Sequence, residues 1–198
     1  VGGTDSYGYS LELQADQKIV LAGATWNGAD WDTLAFRFNT DGSTDTGFGT
    51  GGYVQTDFGA GDDVANAVAI QSDGGIVLTG QAAVNNSGVV SLDTMVLRYT
   101  SAGVLDTTFS TTGKRTAGVG SYQALDYGAA IALQSDGQIV VAGTRTATDS
   151  NGNADFSLLR FSSTGSFNLS TGTDFCTTFF TAAASVMQPD GKTVVVGD

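Results

Sequence analysis

The sequence predicts an all-β protein, an array of about three and a half repeats that each form a four-stranded antiparallel sheet. Composition is the first reason. Gly, Thr, Ala, Asp, Val and Ser are the commonest residues, while the 198 residues include one Glu and three Lys, a balance that favours strands and turns over helices. A recurring ten-residue motif is the second reason. The third is the Asp-Gly pair inside that motif, which is a strong hairpin signal between two apolar runs.

The motif occurs four times, at intervals of 54 to 63 residues. It reads "QADQKIVLAG" from Gln14, "QSDGGIVLTG" from Gln71, "QSDGQIVVAG" from Gln134 and "QPDGKTVVVG" from Gln188. Such self-similarity is the mark of a repeat architecture. We expect one continuous array with units at residues 1–56, 57–118 and 119–173 and a partial unit at 174–198.

Each unit reads as four strands in order. Strand A is small and apolar, as in "ANAVAIQ" (Ala65–Gln71), and strand B follows the Asp-Gly turn, as in "GIVLTG". The turn needs a positive φ, which glycine adopts without a Cβ clash. The predicted structural turn residues are therefore Gly74, Gly137 and Gly191. The first unit has Gln17 instead, so we expect Gln17 to be left-handed or the turn to change type.

A variable loop follows strand B, for example "QAAVNNSGVVSL" (Gln81–Leu92) in the second unit. Strand C begins at a recurring Asp, and strand D is expected near Gly51–Thr56 and Gly113–Gly118. Four antiparallel strands with a small-residue strand A are typical of a β-propeller blade. A parallel solenoid coil of about 20–30 residues and an immunoglobulin-like domain of about 100 residues fit the repeat length less well.

Two stretches carry a family resemblance. They are "TGFGTGGYVQTDFGAGDDVANAVAIQSDGGIVLTG" (Thr46–Gly80) and "DTMVLRYTSAGVLDTTF" (Asp93–Phe109), and together they resemble the delta-60 repeat. The resemblance extends over almost the whole chain. It implies a β-propeller-type scaffold in large secreted or cell-surface proteins, mostly bacterial. It does not imply an enzyme, and it brings no catalytic residues.

Charge and composition exclude several kinds of site. A net charge of −12 repels phosphate, which disfavours nucleic-acid binding through a basic patch and attachment to anionic membranes. No apolar run approaches the ~20 residues of a membrane-spanning helix, so no membrane insertion is expected. The chain has no His and one Cys, which removes His-based triads, His metal sites and an intrachain disulfide.

The number of repeats bears on assembly. Three units plus strands A and B of a fourth are fewer than the ~4–8 blades of most closed propellers. Either a longer chain supplies further blades, which we favour, or subunits complete one another. An open blade leaves unpaired strand edges. We therefore expect these edges to contact a protein partner, neighbouring repeats or another copy of the chain.

Three of the eight basic residues occupy one position of strand C, namely Arg37, Arg98 and Arg160. They could form a ring of anion-binding guanidinium groups. We favour a structural role, in which each Arg pairs with an Asp and locks one blade to the next, because chemistry shared by every unit usually stabilises the units. The candidate partners are Asp73, Asp136 and Asp106.

Loop residues provide two further candidate sites. Trp26 and Trp31 flank "NGAD" in the first B–C loop, and loop aromatics beside Asn and Asp can stack on sugar rings. The alternative, which we favour, is that one Trp covers the blade edge.

The third B–C loop, "DSNGNAD", suggests the one candidate cofactor, a calcium ion. It places oxygen side chains at alternate positions, as in loops that wrap a hard cation; these are Asp149, Asn151, Asn153 and Asp155. The bidentate Glu of an EF-hand loop is missing, and Asp155 is also the Asp that opens strand C. We therefore favour a solvated Asx-rich turn without metal.

These features together indicate a non-enzymatic extracellular or cell-surface scaffold, structural or adhesive, that presents its B–C loops to a protein partner, a glycan or its own neighbours. One alternative is a carbohydrate-binding module that uses Trp26 and Trp31. Another is an Asp-dependent glycoside hydrolase, which is less favoured because nearly every Asp falls at a turn or a repeat position.

Overall fold

The computed structural model describes residues 5–118, 125–146, 154–172 and 181–197. These residues form strands and turns, and no helix long and apolar enough to cross a membrane occurs among them. The strands are β1 (Ser6–Leu13), β2 (Ile19–Trp26), β3 (Trp31–Phe38), β4 (Tyr53–Thr56), β5 (Val64–Ile70), β6 (Ile76–Asn86), β7 (Val89–Tyr99), β8 (Lys114–Ala117), β9 (Asp126–Leu133), β10 (Ile139–Thr146), β11 (Ala154–Phe161), β12 (Phe167–Gly172), β13 (Ala182–Met187) and β14 (Thr193–Gly197).

The strands form sheets in chain order, and every neighbouring pair is antiparallel. We name β1–β4 the first sheet, β5–β8 the second sheet, β9–β12 the third sheet and β13–β14 the final hairpin. The predicted all-β, propeller-type array of about three and a half four-stranded blades is confirmed. The described sheets do not close into a ring.

The A–B turn has the same hydrogen bonds in all four units. In the second sheet, the N–H of Gly74 donates to the carbonyl of Gln71. The turn glycines Gly74, Gly137 and Gly191 all have a φ of 83°, and Gln17 has a φ of 68°. Gln17 therefore adopts the left-handed conformation. Since Asp73 is not left-handed, the turn is a type I turn followed by a glycine bulge, not a two-residue mirror-image turn.

The B–C segment of the second unit differs from the sequence-based expectation. A variable loop is predicted at Gln81–Leu92, but β6 continues to Asn86 and β7 begins at Val89, so most of this segment is an extended hairpin. Ser87 and Gly88 form its turn with φ of 57° and 92°, the two positive angles of a type I′ turn. The prediction is wrong because Asn-Ser-Gly acts as a hairpin signal of the same kind as Asp-Gly.

The hydrophobic core lies in layers between successive sheets. Val20 and Ala22 of the first sheet pack with Leu78 and Leu97 of the second sheet. A second cluster joins the second and third sheets, and a smaller one joins the third sheet to the final hairpin. We name each contact between successive sheets a seam.

One phenylalanine closes each of the first two seams. Phe48 lies against Gly103 of the second sheet, where an added Cβ would be 2.8 Å from Cε2 of Phe48. Phe109 lies against Gly165 of the third sheet in the same way, at 3.0 Å. Both phenylalanines are fully buried. The N–H of Gly49 also donates to a carbonyl of the turn that contains Gly103, at 2.9 Å.

Candidate functional site

The first sheet has an exposed apolar face. The equivalent faces of the second and third sheets are buried. Leu11 is 62% exposed and Leu13 is 51% exposed. Cross-strand pairing aligns these two residues with apolar side chains of β2 and β3. We name this set the leading face: Leu11, Leu13, Ile19, Leu21, Phe36 and Phe38. At equivalent positions of the second sheet, Val68, Ile76, Leu78, Leu97 and Tyr99 are buried in the seam with the first sheet. The leading face is thus built like the buried side of a seam.

The final hairpin carries apolar side chains at the other end of the array. Val186 is 60% exposed, and Val194 and Val196 are also exposed. Val195, between the last two, packs against the third sheet. Side chains alternate along a strand, so the three exposed valines lie on the side away from the third sheet. Both ends of the described array therefore present apolar surface.

Arg37 lies near the end of strand C, with its guanidinium group buried. Its Nε donates to Oδ2 of Asp45 at 2.7 Å, and its Nη1 donates to Oε1 of Gln14 at 3.3 Å. Nη1 also donates to the backbone carbonyl of Ser101 in the second sheet at 2.5 Å. The guanidinium group lies 4.6 Å from the centre of the Phe48 ring. These contacts leave little of the group for an external anion.

Arg98 repeats this arrangement in the second sheet. Its Nε donates to Oε1 of Gln71 at 2.6 Å, its Nη2 donates to Asp73 at 2.5 Å, and its Nη1 pairs with Asp106. Asp73 and Asp106 are among the candidate partners, but both belong to the same blade as Arg98. The expectation that the Arg–Asp pair itself joins two blades therefore needs correction for Arg98. The blade-to-blade link seen at Arg37 goes to a backbone carbonyl.

Arg160 departs from the pattern. It lies opposite Val140 in the third sheet, and Asn168 replaces the Asp that the second unit has at Asp106. Among the described residues, Nε of Arg160 has no hydrogen-bond partner. The pKa of Asp136, the expected partner, is lowered mainly by hydrogen bonds from Gln138 and to a smaller degree by the charge of Arg160.

Trp26 and Trp31 face each other at the end of the β2–β3 hairpin. Their ring centres are 5.6 Å apart and their planes are inclined by 64°. Trp31 also packs against Tyr7, at 5.3 Å and 48°. Both tryptophans are half-buried. Because the three rings are inclined to one another, they do not form one flat platform for a sugar ring.

Three carboxylates meet at the seam between the first and second sheets. Asp32 lies at the start of β3, Asp57 directly after β4 and Asp63 directly before β5. One oxygen of each lies within 4.8 Å of the other two. Asp32 and Asp63 are buried, whereas Asp57 is exposed. We name this set the carboxylate cluster.

Hydrogen bonds occupy most of the buried oxygens of the carboxylate cluster. Both oxygens of Asp63 accept backbone N–H groups, from Ala83 at 2.9 Å and from Phe58 at 2.6 Å. Oδ2 of Asp32 accepts the side-chain amides of Asn27 at 3.0 Å and Gln55 at 2.5 Å. Oδ1 of Asp32 is buried and accepts no hydrogen bond.

Burial raises the pKa of Asp63 to about 6. The hydrogen bonds from Phe58 and Ala83 lower the pKa of Asp63, and the negative charges of Asp57 and Asp32 raise it. Three carboxylates this close repel one another when all are charged. The carboxylate cluster therefore favours a bound proton or a cation.

Local sequence spacing does not reveal the carboxylate cluster, because Asp32 and Asp57 meet only when β3 pairs with β4. The repeat holds the available signal, since Asp32 aligns with Asp93 and Asp63 with Asp126. The candidate calcium ligands considered in the sequence analysis, where a loop without metal is favoured, are different residues. Asp149, Asn151 and Asn153 lie outside the described residues, and Asp155 lies opposite Arg145 in the β10–β11 pair.

Comparison with known families gives one match. The family model described as "Domain of unknown function (DUF5122) beta-propeller" matches residues 14–48, 71–109 and 134–170, which together make up more than half of the chain. Each matched segment begins at the recurring Gln. No curated protein matches the chain.

Two solved structures are similar to the chain at low identity. One is a mannose phosphorylase from Leishmania mexicana in complex with phosphate ion, with 10% identity and a TM-score of 0.49; the match covers 93% of this chain and 61% of that one. The other is a gluconolactonase from Xanthomonas campestris, with 13% identity and a TM-score of 0.37, covering 94% and 68%. The chain thus spans less than two thirds of the phosphorylase.

Proposed function

Because the chain belongs to the DUF5122 beta-propeller family, we propose that it acts as a non-enzymatic extracellular scaffold, structural or adhesive, whose blades associate with further blades of the same kind. The finer assignment to the delta-60 repeat and a secreted or cell-surface location in bacteria are part of this proposal. They rest on the motif at Thr46–Gly80. The division into units at residues 1–56, 57–118, 119–173 and 174–198 is also proposed.

The exposed leading face is the observation that carries the proposal. In the second sheet, the same positions are covered by the first sheet. Gly42 adds a second feature, because it occupies the turn position of Gly103 and Gly165, yet nothing lies within 4 Å of an added Cβ there. The place that a phenylalanine fills in the two closed seams is therefore open beside the leading face. A further blade with that phenylalanine fits this surface.

The energy of covering the leading face favours association. Burial of one large apolar side chain contributes about 1.5–3 kcal/mol, and the leading face has six such side chains with exposed or half-buried surface. Contiguous apolar patches of this kind mark interaction sites on soluble proteins.

The burial and hydrogen bonding of Asp32 and Asp63 support a role without catalysis. A glycoside hydrolase needs two carboxyl groups that reach the glycosidic bond. Asp63 has the raised pKa of a general acid, but it is fully buried and both of its oxygens accept backbone hydrogen bonds. Asp32 is also buried. Glycan binding by Trp26 and Trp31 is the second candidate, and their inclined rings do not favour it.

Association through the leading face can be measured on the purified chain. We expect light scattering to show a mass that rises with concentration in the micromolar range. Leu11→Lys places a charge in the leading face and should weaken association by about 10- to 100-fold, which corresponds to the loss of one buried apolar side chain. Val104→Lys is the matched control, since Val104 is 60% exposed in a turn of the second sheet.

Two results would contradict the proposal of self-association. One is a constant monomer mass at all concentrations. The other is an equal effect of Leu11→Lys and Val104→Lys, which would mean that the leading face has no special role.

A further inference from the structure

We propose that the carboxylate cluster of Asp32, Asp57 and Asp63 binds a calcium ion at the seam between the first and second sheets. Carboxylate and other oxygen ligands are those that calcium prefers. The site would connect strand C of one blade to strand A of the next, and it is separate from the leading face. It therefore does not depend on association between copies.

The spacing of the oxygens suits calcium. Calcium binds oxygen at about 2.3–2.6 Å, so two ligands on opposite sides of the ion are about 5 Å apart. The cluster oxygens lie within 4.8 Å of one another. Magnesium demands near-octahedral geometry at about 2.0–2.1 Å, whereas calcium accepts a flexible set of oxygen ligands, as a group of carboxylates from three chain segments provides. The exposed position of Asp57 gives the ion a route from solvent.

An unpartnered buried oxygen provides evidence beyond the spacing. Asp32 is 3% exposed, and its Oδ1 accepts no hydrogen bond, although Oδ2 of the same carboxylate accepts two. A buried charged oxygen without a partner is unfavourable. A cation bound beside it would remove that penalty.

The surrounding charges also favour a cation. Among the described residues, no Lys or Arg forms an ion pair with the carboxylate cluster. Lys114 is close, but its Nζ donates to the backbone carbonyl of Asp57 at 3.0 Å and lies 5.0 Å from the centre of the Phe58 ring. The negative charge of the cluster is therefore not paired by a protein cation.

The second seam offers a comparison within the same chain. Asp93 and Asp126 occupy the repeat positions of Asp32 and Asp63, but Gly118 replaces Asp57. An added Cβ at Gly118 would lie 3.2 Å from Oδ1 of Asp93, so this position is beside the carboxylate in both seams. Two carboxylates belong to the repeat, and the third is an addition at the first seam. A cation site needs this third carboxylate. Blade packing does not need it, since the second seam has glycine at that position.

Calcium titration of chelator-treated protein tests the proposal. Isothermal titration calorimetry should show one site with a Kd on the order of 10⁻⁴–10⁻³ M, the range of extracellular calcium modules. The Tm should be higher in calcium than in chelator. Asp57→Asn should abolish both effects. In chelator, the Tm of the Asp57→Asn variant should be no lower than that of the wild type, because the substitution removes one of three carboxylate charges that repel one another.

Two other variants make the result specific. Asp41→Asn changes the same charge in an exposed turn of the first sheet and should leave calcium binding intact. Asp149→Asn removes a carboxylate from the third B–C loop and should also leave it intact. Loss of binding in Asp57→Asn alone supports the site. Absence of binding by the wild type, binding retained in Asp57→Asn, or binding lost in Asp149→Asn overturns it.

Discussion

Gly42 and Gly103 occupy the same turn in successive sheets, with φ of 82° and 79°. Their surroundings differ. An added Cβ has nothing within 4 Å at Gly42, whereas at Gly103 it would be 2.8 Å from Cε2 of Phe48. A substitution at Gly42 therefore tests only the cost of a side chain on a left-handed backbone. The same substitution at Gly103 adds the cost of overpacking the seam.

Alanine at these two positions should have unequal effects. Gly42→Ala should lower the free energy of unfolding by about 1 kcal/mol, the cost of placing a Cβ in the left-handed region. Gly103→Ala should lower it by a further ~1–3 kcal/mol, because the methyl group overpacks the seam at Phe48. Urea unfolding of both variants measures the difference. Equal losses would mean that Phe48 moves aside freely and that the contact is not tight.

At the scale of single residues, the sequence predicts the conformation of residues whose contacts lie close to them in the chain. The Asp-Gly pair predicts the positive φ of Gly74, since the turn lies within five residues. The contact between Gln71 and Arg98 is not predictable in this way, because 27 residues separate them and they meet only through strand pairing. The carboxylate cluster escaped prediction for the same reason.

Asp45 connects several elements of the first sheet. It lies between β3 and β4 and accepts hydrogen bonds from Nζ of Lys18 at 2.9 Å and from Nε of Arg37 at 2.7 Å. The hydrogen bond from Lys18 lowers the pKa of Asp45 most, and the charge of Arg37 lowers it further. The charged form of Asp45 therefore holds the start of β2 and the end of β3 together.

This arrangement predicts a pH dependence. A carboxyl whose pKa is lowered on folding stabilises the fold above its unfolded pKa and loses that effect as the pH falls through its folded pKa. Asp45→Asn should cost about 1–3 kcal/mol at pH 7. The gap to the wild type should stay constant down to about pH 5 and narrow below the ordinary value of 3.8.

Urea unfolding across this pH range measures the gap. Asp16→Asn is the control, because Asp16 is an exposed carboxylate in the adjacent A–B turn and forms no ion pair among the described residues. A gap for Asp45→Asn that widens on acidification would refute the assigned role of its charge.

At the scale of elements, strands bounded by a repeat motif were predictable. Strand B begins after the A–B turn, and β4 lies within the expected Gly51–Thr56. The extension of β6 and β7 was not predicted, because "QAAVNNSGVVSL" varies between units and resembles a loop by composition. The Ser87-Gly88 pair is a hairpin-turn signal. The polar residues Asn85 and Asn86 before it are typical of a loop, so the sequence does not indicate that β6 continues to this turn.

In the whole molecule, the main packing contacts of each sheet among the described residues are with its neighbours along the chain. The stability of such a repeat array is close to a sum of individual units and nearest-neighbour contacts. A change at one seam should therefore loosen the sheets on that side and leave distant ones unaffected.

Phe109→Ala tests this expectation. Removal of a fully buried phenylalanine should cost about 3–5 kcal/mol. Amide hydrogen exchange should become faster in the third sheet, β9–β12, while the first sheet keeps its protection. Phe48→Ala is the matched variant and should produce the largest change at the seam between the first and second sheets. Uniform faster exchange in every sheet for both variants would instead indicate one cooperative unit.

The period of the repeat was sufficient to predict the array, because a unit of nearly 60 residues with four short strands has few other solutions. The period could not predict which surfaces stay uncovered. Leu11 and Val68 look alike in sequence, and only the order of the sheets makes one exposed and the other buried.

The two phenylalanine contacts also have a direction. In each contact, the phenylalanine belongs to the earlier sheet and the glycine turn to the later one. The leading face and the exposed valines lie at opposite ends of the described array. Two copies that meet by these surfaces cannot be related by a twofold axis, because each contributes a different patch. Such head-to-tail contacts close into rings when the rotation per subunit permits and otherwise extend as filaments with distinct ends. Association of this chain should therefore yield polar polymers or rings in electron micrographs, not symmetric dimers.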